Sequence, residues 1–302
     1  MCSNAKGYAG GSPDRKIGRM NMIRIITDSA ADFEPWELEK KDITCIPLKV
    51  MFADTEYEEN ISLSKNQFYE LLLANEESPK TSQASPQILL DLFEETKQMG
   101  DEAVYITLSS ALSGTYQSAL MAQSAVDCDR CYVVDSMDAT GGQRMLVEYA
   151  VKLRDERKSA EEIVEAVEAL KKRIVLYACI DTLEYLYKGG RISHTVYTLG
   201  SLAQIKPIIK VDEVGGIAVP AKAMGMRKGM DVLVKKLEQQ PMDPEFPLYV
   251  MYTNNRSVAE TLAKRLEAAG YEVPDSRIIQ VGAAIGTHIG PDACGLVYVG
   301  KE

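Results

Sequence analysis

The sequence predicts an α/β protein in two parts: a doubly wound domain on a mostly parallel sheet, then a second α/β domain with a mostly antiparallel sheet. Three observations carry this. Nearly unbroken apolar strands alternate with well-bounded helices as far as residue 170, the pattern of a parallel sheet covered on both faces. After Lys171 the pattern changes to short β segments, many glycines and a strand pair flanking Gly215-Gly216. The 302 residues also exceed the length over which one core usually keeps growing. The expected organisation is residues 1–21 as a disordered leader, 22–170 as the first domain and 171–302 as the second.

In order, Ile23, Ile25 and Ile26 form a strand ending in Thr27-Asp28-Ser29, and a second strand is expected over Ile43 to Met51. Ser64 with Gln67 makes a capping box before Phe68, Leu71 and Leu72. Ser85-Pro86 supplies a capping hydroxyl and a first-turn proline for the next helix, which Gly100 stops. Val104 to Leu108 and Tyr132 to Val134 read as strands, Thr115 to Ala125 and Gln143 to Arg157 as helices, and Ser159 with Glu162 caps a further helix. In the second part, Ile205 to Val211 and Ile217 to Pro220 read as a hairpin about the Gly-Gly turn. Leu248 to Thr253, Arg277 to Val281 and Gly295 to Val299 read as strands, and Ser257 with Glu260 as the cap of a helix ended by Gly270. Helices are expected on one face of this sheet.

Composition narrows the function classes. With 46% hydrophobic and 26% charged residues the chain is of the globular type. Its 34 basic against 44 acidic residues leave a net charge of −10, so the average field repels nucleic acid and anionic membrane surfaces. No apolar run reaches the roughly 18–20 residues of a membrane-spanning helix, so no integral membrane segment is expected. Residues 1–21 lack the apolar centre of a secretory signal, and translation starting at Met20 or Met22 is an alternative reading of the leader. Six scattered cysteines fit reduced thiols and hence a cytoplasmic location; Cys128-x-x-Cys131 has no second pair to complete a metal site and is expected to be ordinary packing.

Ligands of open parallel sheets sit beyond the carboxyl ends of the strands. Three polar loops fall there: Thr27-Asp28-Ser29, Thr81-Ser82-Gln83-Ala84-Ser85, and Ser109-Ser110-Ala111-Leu112-Ser113-Gly114-Thr115. The third combines hydroxyls, a glycine and helix N-terminal amides, which suits an anion, although the same residues serve equally as helix caps. Of the two histidines, His288 lies in the glycine-flanked Gly286-Thr287-His288-Ile289-Gly290-Pro291 turn, and His194 is read as structural or partner-facing. A hydrolase would have to recruit Ser113, His288 and Asp292, yet the chain contains no G-x-S-x-G elbow, phosphate loop or dinucleotide fingerprint. Lys206, Lys210, Lys222, Arg227, Lys228, Lys235 and Lys236 form a basic group that reads as a solvated face or as a docking surface for an acidic partner or a membrane.

From Met22 onward the chain resembles the DegV family of bacterial lipid-binding proteins. The resemblance lies in Ile25-Ile26-Thr27-Asp28-Ser29, Lys80 to Ser85, Leu108 to Tyr116, Lys188-Gly189-Gly190-Arg191-Ile192 and Gly286 to Pro291. Ala84 and Ala30 depart from it, standing where proline and threonine are usual in the family. The resemblance implies a Rossmann-like first domain and an α/β second domain, a long-chain fatty acid such as palmitate, stearate or oleate buried between the two, no catalysis by the chain itself, and no cofactor. It further implies a role like the binding subunit of fatty acid kinase, presenting the acyl carboxylate to a separate ATP-dependent kinase subunit. By motif position, Thr81 and Ser113 would bind the carboxylate with His288 nearby, Ser82, Ser110, Gly114, Thr115 and Thr287 would support them, and Arg227 would contact the kinase. The physical chemistry is consistent: burying about sixteen carbons at ~0.8 kcal/mol per methylene gives roughly 10 kcal/mol before ordering costs. Uncharged donors would replace the water lost by the carboxylate. The alternatives are a serine-dependent acyl transferase or hydrolase using Ser113 and His288, and a regulatory protein without lipid.

Overall fold

The structure, a computed structural model, describes residues 22–200 and 204–301, so the expected leader at 1–21 lies outside the described residues. The chain runs β1 Ile23–Asp28, α1 Pro35–Lys41, β2 Ile43–Ile46, β3 Lys49–Phe52, β4 Thr55–Glu58, α2 Lys65–Ala74, β5 Lys80–Ser82 and α3 Pro86–Met99. It continues through β6 Glu102–Thr107, α4 Thr115–Val126, β7 Cys131–Asp135, α5 Thr140–Asp155, α6 Ala160–Leu170, β8 Ile174–Ile180, α7 Glu184–Lys188 and α8 His194–Gly200. The rest is β9 Ile205–Val211, β10 Ile217–Met224, α9 Gly225–Gln239, β11 Tyr249–Tyr252, α10 Arg256–Ala268, β12 Ile278–Gln280, α11 Ala283–Ile289 and β13 Ala293–Val299.

Four strands form an all-parallel sheet in the order β2-β1-β6-β7. Its side chains alternate by the two-residue strand period. Ile25, Val104 and Ile106 face α5 and α6, whereas Ile26 and Tyr105 face Leu89 and Phe93 of α3 and Ala119 and Ala122 of α4. The strand order reverses between β1 and β6, which makes their carboxyl ends the switch point of the sheet.

A second sheet of six strands, β10-β9-β8-β13-β11-β12, is antiparallel except for the β11–β12 pair. Here too alternation builds two faces. Val250, Tyr252, Leu296 and Tyr298 pack on α9 and α10, while Tyr249, Met251, Val297 and Val299 pack against Met145, Leu146 and Val147 of α5. The expectation of helices on one face is thus corrected: α5 lies between the two sheets, giving helix, sheet, helix, sheet, helix in layers. Gly141 permits this approach, because a Cβ there would lie 2.5 Å from Val297 Cγ1. Each fully buried Leu, Ile or Val contributes about 1.5–3 kcal/mol.

Several local expectations are also corrected. The strand anticipated over Ile43 to Met51 breaks at Pro47-Leu48: β2 stays in the parallel sheet, and β3 joins β4 and β5 in a small antiparallel sheet. Proline lacks the N–H a continuous ladder would need. β10 runs past Pro220 to Met224, with a register irregularity between Ala218 and Ala221 that accommodates the proline. Asn255 rather than Ser257 caps α10, its side chain accepting from Ser257 N at 3.0 Å. Ser85 occupies the N-cap of α3 without a side-chain cap bond. Cys128 and Cys131, expected as reduced thiols, form a disulfide where β7 begins, so the cysteine argument for the cytoplasm keeps only Cys45, Cys179 and Cys294 among the described residues. Among the described residues no helix is long and apolar enough to cross a membrane.

Candidate functional site

The carboxyl ends of the parallel strands face the inner face of the antiparallel sheet across a cavity. Its empty space, opening included, is about 900 Å³. One wall comes from segments that follow parallel strands: Leu48 after β2, Leu108, Leu112 and Ser113 after β6, and Ala139 and Thr140 after β7. The other is a row of residues paired across the second sheet, Ile209, Ala178, Gly295 and Met251. The two smallest members lie in the middle, so the row forms a groove. A Cβ at Gly295 would stand 3.1 Å from Met251 Cε and 3.0 Å from Ala178 Cβ, closing it. Thr140 sits in the wall at φ 47°, a strained conformation for a β-branched residue, and its hydroxyl lies 3.5 Å from Met251 Sδ.

The lining also brings together polar groups from distant parts of the chain. Thr81, on the short strand β5, lies with its hydroxyl 2.9 Å from His288 Nε2 on α11, joining positions 207 residues apart. Ser113 and Ser82 line the same cavity. Ser113 Oγ is 2.9 Å from Thr115 Oγ1 and accepts from Thr115 N at 3.2 Å, so the strand-to-helix loop holds it near the start of α4. Thr115 Oγ1 also accepts from Ala84 N at 3.1 Å, tying the Thr81 loop to the Ser113 loop.

His288 is buried, and its Nδ1 has no hydrogen-bond partner among the described residues. Burial, with Arg191 nearby, pushes its pKa down to about 3, so the ring is neutral at physiological pH. No carboxylate among the described residues orients it. Asp292 is exposed and is influenced by Asp181 and Lys206, and no hydrogen bond joins Ser113 to His288 among the described residues. The Ser113, His288 and Asp292 arrangement that a hydrolase would need is not assembled.

Other expected positions fall outside the lining. Ser110 is exposed and receives no place in the wall; Gly114 is exposed and leaves room for the Gln83 side chain; Thr287 donates to Ala283 O within its own helix at 2.8 Å. Arg227 is exposed on the first turn of α9, away from the lining. His194 opens α8 and meets Tyr187 edge-on with ring centroids 5.6 Å apart.

The sequence reading passed over Arg191 as a site residue. It is the only permanently charged side chain of the lining among the described residues, and its guanidinium donates to the backbone oxygens of Leu112 (3.0 Å) and Gly189 rather than to any carboxylate there. An arginine among glycines in a chain of net charge −10, with no acidic residue in Lys188 to Ile192, was the available signal.

Comparison with known proteins places the chain in context. The DegV family, described as "Uncharacterised protein, DegV family", matches residues 22–301. A DegV domain-containing protein of Clostridium perfringens is 35% identical over 289 residues, covering 93% of this chain and 98% of the relative. Among solved structures, a DegV family protein from Thermus thermophilus described by its fatty acid binding superposes with a TM-score of 0.84 at 26% identity, over 93% of this chain and 100% of that one. DegV of Bacillus subtilis, described as a fatty acid binding protein, gives 0.79 at 30% identity, over 93% and 100%.

Proposed function

Because the chain belongs to the DegV family, we propose that it binds a long-chain fatty acid, such as palmitate, stearate or oleate, in the cavity between its two sheets. In this reading the carboxylate lies against Thr81 and Ser113, with His288 holding Thr81, and the hydrocarbon lies along the Ala178–Gly295 groove. The observation that carries it is the make-up of the cavity lining: mostly aliphatic walls, with the Thr81 hydroxyl against a neutral imidazole, the Ser113 hydroxyl, and a guanidinium that donates to backbone oxygens rather than to a carboxylate. Apolar walls favour the chain at about 0.8 kcal/mol per methylene, and Arg191 adds a charge that the bare hydroxyls lack.

The acyl transferase alternative gains nothing from the geometry, since Ser113 lacks a base and His288 lacks an orienting acid. The chain then serves as a carrier, located in the cytoplasm and presenting its ligand to a separate ATP-dependent fatty acid kinase subunit. Arg227, exposed on α9, is the candidate contact. The test is native purification followed by solvent extraction and mass spectrometry. A stoichiometric C16–C18 acid is expected; lipid-free protein from lipid-replete cells sinks the reading.

A further inference from the structure

The helix that carries His288 has no cap of its own. Gly282, which precedes α11, has no side chain, and the amides of the first turn are satisfied from a distant part of the chain. Gly282 N donates to Asp32 Oδ1 at 2.8 Å, and Ala284 N donates to Glu59 Oε1 at 3.2 Å. Both carboxyls are 1% exposed. Glu59 Oε2 accepts from Ser29 Oγ at 2.6 Å, and Ser29 Oγ in turn accepts from Leu48 N at 3.0 Å, the backbone of a cavity-wall residue. Tyr69 completes the seat by donating to Val281 O at 2.9 Å. The fit is close: a Cβ on Gly282 would lie 2.1 Å from Glu59 Oε1 and 3.0 Å from Asp32 Oδ1.

We propose that Asp32 and Glu59 are the positioning residues of the binding site: by clamping the first turn of α11 to the segments that follow β1 and β4, they set His288 Nε2 opposite Thr81. This rests on the ligand reading above. His288 has no other orienting partner among the described residues, since Nδ1 is unbonded, so the direction of its ring follows from where the helix is held. Neither carboxyl lines the cavity. They act through α11, whose first-turn amides they hold.

The test compares Glu59→Ala, Glu59→Gln and Gly282→Ala in the full chain. The readouts are palmitate affinity by displacement of a fluorescent fatty acid and the imidazole resonances of ¹⁵N-labelled His288. The amide of Glu59→Gln keeps an oxygen for Ala284 N and faces Ser29 with its nitrogen, so this variant stays within about twofold of the native affinity. Removal of the carboxyl in Glu59→Ala shifts the His288 resonances and weakens palmitate about tenfold, which is about 1.4 kcal/mol. Should Glu59→Ala fail to fold, Gly282→Ala, whose methyl displaces the Glu59 carboxyl, gives the same two shifts. Lower melting temperatures with native palmitate affinity and native His288 resonances overturn the proposal. A native protein that takes up no palmitate, with the resonances still shifting in the variants, overturns the ligand reading and leaves the clamp standing.

Discussion

The ring of His288 occupies the space that a side chain on Gly189 would need: a Cβ there would lie 2.0 Å from Nδ1. Gly189 has φ −75°, which any residue adopts, so the glycine is required by the close approach and not by the backbone. Gly189→Ala must displace the ring and so disturb its contact with Thr81. Overpacking of this kind costs about 1–3 kcal/mol. Chemical denaturation is expected to show that loss together with at least about tenfold weaker fatty acid binding; native affinity in this variant would separate the ring's position from the site.

Thr81→Ala and Ser113→Ala remove different things. Without Thr81 both nitrogens of a buried imidazole lack partners, a penalty of about 1–3 kcal/mol in stability, and one ligand donor is gone as well. Ser113 also props Thr115, which bonds the Ala84 amide, so its loss loosens the joint between two loops. Calorimetric titration with palmitate is expected to show about tenfold or greater weakening for each, with the larger melting shift in Thr81→Ala.

Gly295→Val tests the groove. The added side chain meets Ala178, Met251 and the Tyr177 carbonyl, and fills the low point of the row. The expected result is a shift of the co-purified acids toward shorter chains, read by mass spectrometry of extracts. An unchanged acyl profile would place the hydrocarbon elsewhere.

Four buried carboxyls set a pH dependence. Desolvation pushes Asp28 and Asp32 up to about 6, and Glu59 and Asp138 up to about 7. A raised carboxyl keeps its proton in the folded chain where the unfolded chain has released it, so its contribution is full below pH ~4 and is lost as pH rises through ~6–7. His288, lowered to about 3, works oppositely: its contribution is present above pH ~6.5 and is lost as pH falls. The carboxyls outnumber it, so the urea midpoint is expected to rise on acidification from about pH 8 to about pH 5, with at most ~1.4 kcal/mol per pH unit per proton. Glu59→Gln with Asp138→Asn flattens that slope.

The strand and helix alternation was legible because each surface of a covered parallel strand is apolar and each helix carries its own punctuation, as in the Ser64–Gln67 and Ser159–Glu162 boxes. The break at Pro47-Leu48 was hidden because Ile43 to Met51 is apolar enough for one strand, and only the sheet each half joins distinguishes them. Thr81, Ser113 and His288 were legible as polar residues in glycine-flanked or strand-to-helix settings. Arg191 was not, because its lack of a carboxylate partner is a property of its surroundings.

The sequence by itself determined the elements, their alternation and the residue types able to hold an anion, since periodicity, capping and turn chemistry act over a few positions along the chain. Only the tertiary structure decided that α5 lies between two sheets, that Asp32 and Glu59 receive the start of α11, and that Thr81 meets His288 across 207 residues. These are contacts between surfaces, and local spacing does not encode which surfaces meet.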